Sequence, residues 1–537
     1  MKVREMKSVM VSAVCLVVLQ AWSFAEIVMP PVLSSHMVLQ RDMPVPVWGT
    51  ASPKEKVTVE FAGQKKEVTA DEKGKWSVKL DPLAVSQEPR TMVVSGASGK
   101  KELSDVLVGE VWVGSGQSNM QMGGGSYTKN DGVLSNNIEA GPYPQLRVIS
   151  PGKTWMESTP DNLKNFSALL FSFGLPLHKE LKVPVGLLVG AVGGTPSGFW
   201  LSQEALDADQ ACKEVIARSA ANGKYDEAVK QYEASLEKWK KDIEEAKQKG
   251  EKKLPREPQK PRKAGECNGK VGNLYERNIL PYIPYAIRGV IWDQGESGTA
   301  IEGVDQYTLM GALIKGWRKA WGQEFSFLYV QKPSGGGCAW DPADPVTSKA
   351  EKFTNLPGSV PGDGEYREMH IRIMTYPNTF MVTSSDLGPG IHPVNKSGYG
   401  VRGARVALGA VYGKSVEIYG PVYKSHKVDG GKIIISYDHA GKGLAVRKDD
   451  SAAPSVGSTG SPQVVSGQGK LQGFAVAGED GRFVWADAVI EGDKVVVSSD
   501  KVAKPVSIRY AWAGNHHWAN LFNKDGLPAI PFRTDKR

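Results

Sequence analysis

The sequence predicts an α/β protein in which a mostly parallel sheet carries helices on both faces and a β-sandwich-like domain lies at each end. Nearly continuous apolar runs, typical of strands buried on both faces, occupy residues 106–113, 183–192, 286–292 and 325–331. Stretches with apolar residues at helical spacing, such as 307–321, separate these runs. Each run ends in polar or glycine-rich residues, so the functional site is expected at the carboxyl ends of the strands.

The chain of 537 residues is too long for one hydrophobic core, and its patterns divide it into three domains. An N-terminal β domain is predicted at 26–103, a central α/β domain at 104–414 and a C-terminal β domain at 415–537. A helical insertion is predicted at 203–264. The short alternating strands that predict the two β domains lie at 45–49, 57–61, 76–80, 432–437, 494–498 and 506–512.

Residues 1–25 have the composition of an export signal. Three basic residues near the start precede an apolar stretch at 9–19 that is too short to cross a bilayer. Small residues at Ser23 and Ala25 predict cleavage before Glu26. Since no later run approaches about eighteen apolar residues, the sequence predicts a secreted or periplasmic protein with no membrane span.

One charged segment interrupts the alternation of strands and helices. Within residues 224–249, apolar residues recur with heptad spacing between Glu and Lys residues, which predicts one amphipathic helix. The sequence leaves the partner of this apolar stripe open. The helix either joins copies of the chain in a homo-oligomer or packs within its own chain as a hairpin. The stripe consists of Tyr225, Val229, Tyr232, Leu236, Trp239, Ile243 and Ala246.

Charge and cysteine content argue against two classes of function. The formal net charge is +8, but no basic run is interleaved with aromatic residues, so no nucleic-acid partner is predicted. Cys212, Cys267 and Cys338 lie after the predicted signal and have no CxxC or metal-ligand spacing. The sequence therefore predicts no metal and no organic cofactor, and it leaves open whether two of these cysteines form a disulfide.

The most informative stretch is 111–120, in which a short apolar strand breaks at two glycines and presents Ser118. Gly114 and Gly116 allow a sharp turn at the end of the strand. A serine at this position lies where reacting groups gather in an open α/β sheet. The N–H of Ser118 would also face whatever its hydroxyl attacks, and this provides one donor for a developing oxyanion.

A serine hydrolase needs a base beside the serine and donors that await the oxyanion. The best candidate base is His392, because it follows the apolar run 379–383 on a loop that can reach across the sheet to Ser118. The candidate oxyanion donors are the backbone N–H groups of Ser118 and of Gly193 or Gly194, together with the side-chain amide of Gln294. The two glycines allow the backbone to approach a substrate closely.

Four motifs in this region occur in the order found in one enzyme family. Together they resemble the sialate O-acetylesterase family of the SGNH (GDSL-like) hydrolases. Segments 35–41, 420–423, 509–512 and 520–523 are similar to further motifs of that family, so the resemblance covers nearly the whole chain after residue 25 except 203–264. The four motifs are GQSNM at 116–120, GGTP at 193–196, WDQGES at 292–297 and IHP at 391–393.

The resemblance implies an SGNH core in which Ser118 is the nucleophile and His392 is the general base. The oxyanion hole would come from Ser118, from the turn at Gly193 and Gly194, and from the loop at 292–297. The implied reaction is removal of O-acetyl groups from sugars through an acyl-enzyme. The implied partner is an O-acetylated sugar or polysaccharide, without a metal or cofactor.

The chain departs from the family pattern at three positions. Asp293 replaces a tyrosine of the third motif and Gly298 replaces an asparagine, which would leave Gln294 as the side-chain oxyanion donor. Many SGNH enzymes carry the acid that orients the histidine three residues before it, but Pro389 is found here. The nearest acid is Asp386, six residues before His392. Glu296 and Asp293 are the alternative acids, and a Ser-His dyad oriented by a backbone carbonyl is a further alternative.

The resemblance indicates the class of reaction, but it does not indicate which acetylated sugar is the substrate. Acetylated xylan or another polysaccharide fits the pattern as well as sialic acid does. Two other functions remain open at this stage: a carbohydrate-binding protein that keeps the fold without catalysis, and a scaffold that assembles through the helix at 224–249.

Overall fold

The computed structural model describes residues 26–447 and 470–535. The predicted export signal at 1–25 and nearly all of the region 450–470 lie outside the described residues.

The N-terminal region consists of short strands whose side chains alternate between buried and exposed, as expected for strands with one face against a core. The segments Lys56–Phe61 and Lys75–Leu80, for example, follow this alternation throughout. All three segments predicted as strands, at 45–49, 57–61 and 76–80, are strands in the structure. The strands are β1 (Val38–Gln40), β2 (Val45–Thr50), β3 (Lys56–Phe61), β4 (Gln64–Thr69), β5 (Lys75–Leu80), β6 (Ser86–Gly96) and β7 (Gly99–Gly116).

Strand β7 belongs to two sheet regions at once. Its first half pairs antiparallel with β6 and parallel with β1, whereas the part from Glu110 onward runs inside the central parallel sheet. The predicted domain boundary between residues 103 and 104 therefore falls inside this strand. Glu110 is fully buried at the junction, where its carboxylate accepts hydrogen bonds from Arg41 Nε (2.6 Å) and Arg288 Nε (2.8 Å).

The central domain alternates strands with helices. Its helices are α1 (Ser118–Gln121), α2 (Gly132–Glu139), α3 (Pro160–Asn165), α4 (Ala168–Leu181), α5 (Gln203–Ala208), α6 (Gln210–Ala221), α7 (Lys224–Gln248), α8 (Asn273–Asn278), α9 (Gln306–Trp321), α10 (Glu365–Arg372) and α11 (Lys396–Ala410). Its further strands are β8 (Tyr143–Ile149), β9 (Met156–Ser158), β10 (Val185–Ala191), β11 (Gly289–Asp293), β12 (Ser326–Val330) and β13 (Thr379–Val382).

The central sheet has the strand order β13-β12-β11-β7-β10-β8-β9, and all of its pairs are parallel except β8 with β9. Alternate residues of each strand point to opposite faces. Trp112 and Ile291 pack with α4 and α11 on one face, whereas Val113 and Trp292 pack with α9 on the other. The predicted α/β class, with a mostly parallel sheet covered by helices on both faces, is confirmed.

The predicted insertion contains α5, α6 and α7, and the chain after α7 folds back along that helix. Trp239 Nε1 donates a hydrogen bond to the carbonyl oxygen of Pro255 (3.0 Å), and the ammonium of Lys263 lies 5.9 Å from the ring centre of Tyr225. The prolines at 255, 258 and 261 recur every third residue, which suits the three-residue turn of polyproline II, and all three are half-buried. The apolar stripe therefore packs within its own chain. A homo-oligomer through 224–249 stays a prediction.

The C-terminal region consists of short strands. They are β14 (Val422–Asp429), β15 (Lys432–Asp438), β16 (Leu444–Val446), β17 (Phe474–Ala477), β18 (Val484–Trp485), β19 (Asp487–Glu491), β20 (Lys494–Ser498), β21 (Ser507–Tyr510), β22 (Leu521–Asn523) and β23 (Phe532–Arg533). They form two four-stranded sheets around a shared core, with orders β14-β15-β20-β19 and β18-β17-β21-β23, and a short pair β16-β22. Inward residues such as Ile433, Val495, Val476 and Ile508 fill the space between the sheets.

Two smaller findings bear on the sequence predictions. Cys212 and Cys267 are both thiols, and the Sγ of Cys338 lies in hydrogen-bond contact with the carbonyl oxygen of Ala519. Within residues 26–447 and 470–535, no helix has both the length and the hydropathy needed to cross a membrane.

Candidate active site

The site lies at the point in the sheet where the order of strand addition switches from one side of β7 to the other. From β7 the chain moves to one side for β8 and β10, and then to the other side for β11, β12 and β13. Such a switch point opens a crevice beyond the carboxyl ends of the strands. Ser118 follows β7, Gly193 follows β10, Gln294 follows β11 and His392 follows β13. The topology thus brings the loops that carry these four residues to the same edge.

Ser118 and His392 are in direct contact although 274 positions separate them in sequence. The Oγ atom of Ser118 lies 2.8 Å from Nε2 of His392. Ser118 is half-buried at the floor of the site, and His392 is exposed above it. This distance lies within the range that proton transfer to a general base requires.

A tight turn at the end of β7 sets the position of Ser118. Gly116 has a φ of +125°, and a Cβ atom there would lie 2.1 Å from the carbonyl oxygen of Asp293. Only glycine fits such a backbone and such a gap. The next N–H, of Gln117, donates to the same carbonyl oxygen (2.9 Å), so β11 holds the turn and Ser118 begins helix α1.

Two of the predicted oxyanion donors lie close to the serine hydroxyl. Among the described residues, no hydrogen bond takes up the backbone N–H of Ser118. Gly193 approaches so closely that a Cβ atom there would lie 3.2 Å from Cβ of Ser118. Its N–H donates to Oε1 of Gln121 (2.7 Å). Gly194 is exposed and has a φ of +69°.

Gln294, the third predicted donor, is buried and turned towards its own loops. Its Nε2 donates to the carbonyl oxygen of Gly298 (3.0 Å) and lies 3.4 Å from that of Thr195, while its Oε1 accepts from Nε2 of Gln306 (3.0 Å). Both ends of the amide are therefore occupied. This arrangement does not supply the oxyanion donor that the sequence predicts at Gln294, and it ties together the loops after β10 and β11 instead.

The structure does not bring Asp386 to His392. Its two carboxylate oxygens accept hydrogen bonds from Arg402 (3.0 and 2.8 Å), and both side chains are buried. The pair joins the start of the His392 loop to helix α11. Because both oxygens of Asp386 are taken by one guanidinium, the predicted role as the acid that orients His392 has no support in this geometry.

The two alternative acids, Asp293 and Glu296, bind a buried lysine. The Nζ atom of Lys332 lies 2.7 Å from a carboxylate oxygen of each, and it is fully buried. Burial alone would lower the pKa of Lys332, but the two carboxylates raise it above its ordinary value. Burial raises the pKa of the Asp293 carboxyl despite Lys332. Glu296 also accepts a hydrogen bond from Nε2 of Gln117, next to Ser118.

These contacts leave a Ser-His pair without a carboxylate partner. In the part of the chain that the structure describes, no acidic side chain forms a hydrogen bond with His392. The pair resembles the dyad that the sequence left open, but among the described residues no backbone carbonyl accepts a hydrogen bond from His392, so the carbonyl as orienting group stays a prediction.

One group of side chains resembles a metal site but is occupied by an arginine. His36, Asp105 and Glu157 place ligand-type atoms within 4.8 Å of one another. The guanidinium of Arg147 lies among them, 2.6 Å from Asp105 and 3.2 Å from His36. A cation already fills this position, so the group suits an ion-pair network better than a metal.

Comparison with known proteins shows similarity to esterases that act on acetylated carbohydrates. No family model matches the sequence. The chain is 29% identical to a sialate O-acetylesterase of Rattus norvegicus over 439 residues, which cover 73% of this chain and 75% of the relative. It is 26% identical to the sialate O-acetylesterase of Homo sapiens over 436 residues, with 73% and 72% covered. A crystal structure of a carbohydrate acetylesterase from Xanthomonas citri matches with a TM-score of 0.70 at 30% identity, over 95% of this chain and 100% of that one.

The chain belongs to the sialate O-acetylesterase family. The family predicted from the four sequence motifs is thereby confirmed. As a member of this family, the protein is a carboxylic ester hydrolase, namely a carbohydrate O-acetylesterase.

In this member of the sialate O-acetylesterase family, four residues near the site escaped the sequence analysis. Asn119 and Gln121 lie within or beside a quoted motif, but nothing in the pattern assigned them a contact. Lys332 follows directly after an apolar run, and Lys396 opens a helix close behind His392. A charged residue directly after a doubly buried strand was the available signal for Lys332, because such a side chain begins inside the protein and needs a buried partner.

Behind the site of this acetylesterase, His370 is buried as a neutral imidazole. It is 1% exposed, and neither of its ring nitrogens has a hydrogen-bond partner among the described residues. Burial, with a contribution from Lys332, lowers the pKa of His370 to about 3. An unfolded histidine has a pKa of about 6.5. Between these values the unfolded chain binds a proton that the folded chain excludes, so acid weakens the fold here.

We expect His370→Leu to reduce the acid sensitivity of the protein. As the pH falls from 7.5 to 5, His370 is expected to lower the free energy of unfolding by about 2 kcal/mol. The leucine variant lacks this loss, and leucine leaves no polar atom unpaired. Urea unfolding of both proteins at pH 7.5 and pH 5 measures the difference. An equal drop in both proteins would show that His370 does not resist protonation.

Proposed function

We propose that the protein is an exported serine esterase of the SGNH type that removes O-acetyl groups from sugars through an acyl-enzyme intermediate. Ser118 is the nucleophile and His392 is the general base and acid. The observation that carries this proposal is the 2.8 Å contact between Ser118 Oγ and His392 Nε2. Export rests on the composition of residues 1–25.

The geometry supports a two-step reaction. In the first step Ser118 Oγ attacks the acetyl carbonyl carbon while Nε2 of His392 takes the hydroxyl proton. The tetrahedral intermediate collapses, the sugar oxygen leaves with the proton from His392, and acetyl-Ser118 remains. In the second step His392 takes a proton from water, which attacks the acetyl group. His392 then returns the proton to Ser118 Oγ, and acetate leaves.

The developing oxyanion needs donors that are already in place. The N–H of Ser118 is the first, because no other group takes it up among the described residues. The N–H of Gly193 is the second. It now donates to Gln121 Oε1, and rotation of this exposed glutamine side chain would release it to a substrate. Gln294 has no place in this proposal, because its amide is already bonded at both ends.

The openness of the site suits a sugar ester. His392 and Gly194 are exposed, so the acetyl group can reach Ser118 while the sugar stays at the surface. The relatives are described as sialate O-acetylesterases and as a carbohydrate acetylesterase, which supports an O-acetylated sugar as the substrate class. The alternative of a sugar-binding protein without catalysis is disfavoured, because binding alone does not require a serine and histidine at this distance.

Trapping the acyl-enzyme tests this proposal. The protein is mixed with an aryl acetate or with O-acetylated sialic acid or xylan, quenched in acid within the first turnover and measured by mass spectrometry. We expect a mass gain of one acetyl group on the peptide that contains Ser118, together with acetate release, and no such adduct in Ser118→Ala. Acetate release without any covalent adduct would contradict the mechanism. The absence of acetate release from every substrate would contradict the esterase.

A further inference from the structure

The loop that carries His392 is held firmly at its two ends and weakly in between. Nδ2 of Asn395 donates to the carbonyl oxygen of Leu387 (3.1 Å), and the hydroxyl of Tyr399 donates to that of Gly388 (3.2 Å). Between these anchors Gly390 has a φ of +99°, Ile391 is 67% exposed and His392 is exposed. Pro393, directly after the histidine, is buried, so packing holds the loop on that side, whereas on the side of Ile391 packing contributes little.

One side chain connects this exposed stretch to the interior. Nδ2 of Asn119 donates a hydrogen bond to the carbonyl oxygen of Ile391 (2.9 Å), the residue immediately before His392. Among the described residues, loop residues 389–393 make two hydrogen bonds: this one, and the contact between Ser118 and His392. Asn119 also follows Ser118 directly and is buried, so the nucleophile and the histidine loop share one anchor.

A buried lysine determines which way the Asn119 amide points. Nζ of Lys396 donates to Oδ1 of Asn119 (2.7 Å), and Lys396 is 1% exposed at the start of helix α11. In its charged form Lys396 can only donate, and the carbonyl oxygen of Ile391 can only accept, so both contacts require the same orientation of the amide. The amide oxygen must therefore face Lys396, and the amide NH₂ must face Ile391.

We propose that Lys396 is a positioning residue for the esterase reaction, which holds the His392 loop over Ser118 by orienting the side chain of Asn119. This inference rests on the proposed function, since it concerns the same serine and histidine. Lys396 itself touches neither reacting group.

The environment of Lys396 supports a role beyond stability. Burial lowers its pKa to about 7, although the charges of Asp293, Glu296 and Asp131 favour the ammonium and that of Lys332 opposes it. Aromatic rings also face it, with the ring centre of Tyr127 at 4.7 Å. Burying an ammonium in this way costs free energy. An apolar side chain would avoid that cost, so the fold alone does not account for a lysine here.

Lys396→Met tests the proposal, with Lys414→Met, an exposed lysine just after α11, as the matched control. We expect kcat for acetate release to fall roughly 10- to 100-fold in Lys396→Met while KM changes less than twofold, because misplacing a catalytic group by about 1 Å acts on the chemical step. A small fall in melting temperature is expected, because Oδ1 of Asn119 loses its donor, and the control should keep both its melting temperature and its activity. A kcat within twofold of the wild type, or a loss confined to KM, would overturn the proposal.

A second variant keeps the test decisive if Lys396→Met folds poorly. The double variant Asn119→Leu/Lys396→Met replaces both partners by apolar groups of similar size, so neither the donor nor the acceptor of this buried pair is left unpaired. If the lysine acts through Asn119, the double variant loses no more activity than the more impaired single variant. Losses that multiply would overturn this route. Failure of the proposed serine mechanism gives a different result from failure of the Lys396 proposal, because Ser118→Ala keeps its activity only in the first case.

Discussion

Replacing Ser118 by alanine is expected to lower kcat for acetate release by about 10⁴-fold or more. The loss has a direct physical cause: without Oγ there is no covalent intermediate, and water must attack the ester without a positioned nucleophile. KM should change little, since alanine leaves the pocket intact. Rates with an aryl acetate and an acetylated sugar measure the effect.

Ser126→Ala is the matched control, because Ser126 is an exposed serine eight residues further along the same region. We expect it to keep the wild-type rate. His392→Ala should lose nearly as much activity as Ser118→Ala, and the double variant should lose no more than either, because the two side chains act as one unit. Retention of more than a tenth of the wild-type kcat in Ser118→Ala would contradict the assignment of the nucleophile.

Lys332→Met is expected to lower the free energy of unfolding by about 3–5 kcal/mol. The substitution removes the cation between Asp293 and Glu296, each 2.7 Å away, and leaves a carboxylate that is 1% exposed without its partner. Removing one member of a buried ion pair costs far more than the pair itself contributes. Urea unfolding followed by intrinsic fluorescence measures the change.

The matched control is Lys319→Met, which breaks an exposed ion pair with Glu204 on the surface. It should cost about 1 kcal/mol or less, since water screens such pairs. The double variant Lys332→Met/Asp293→Asn should recover part of the stability lost in Lys332→Met, because the charge left behind is removed. Equal effects of Lys332→Met and Lys319→Met would show that the buried triad contributes no more than a surface pair.

The strands of the central sheet could be predicted from sequence because a strand buried on both faces leaves a local signal. The runs at 106–113, 183–192 and 325–331 coincide with strands β7, β10 and β12. Each run is apolar without alternation, and glycine or polar residues mark its end, so neighbouring residues alone indicate the structure. The contact between Ser118 and His392 could be predicted for a similar reason, since both follow such strands.

The surroundings of His392 could not be predicted in the same way. Nearness in sequence to His392 predicts Asp386 as the orienting acid, but Asp386 pairs with Arg402, which lies in the next helix. Lys396 resembles a solvated charge in the sequence, and the place of Lys332 directly after a buried strand indicates burial without indicating a partner, so only the folded chain shows which groups the two lysines contact. Pairing between distant polar side chains leaves no local pattern.

The amphipathic helix at 224–249 shows the same division. Heptad spacing predicts the helix, but it does not indicate what covers the apolar stripe. The answer depends on prolines that follow the helix, at a period of three that matches an extended chain rather than a second helix. Predicting the packing of this helix requires both the heptad spacing within it and the proline spacing in the segment after it.

The continuity of strand β7 affects how this protein can be recombined. The strand that ends two residues before Ser118 begins at Gly99, within the N-terminal region, without any linker in between. Domains that can be exchanged between proteins are joined by linkers, and a cut in such a linker leaves the domain on each side folded. Here no cut between residues 99 and 116 would do so. The N-terminal strands therefore have to be inherited together with the nucleophile.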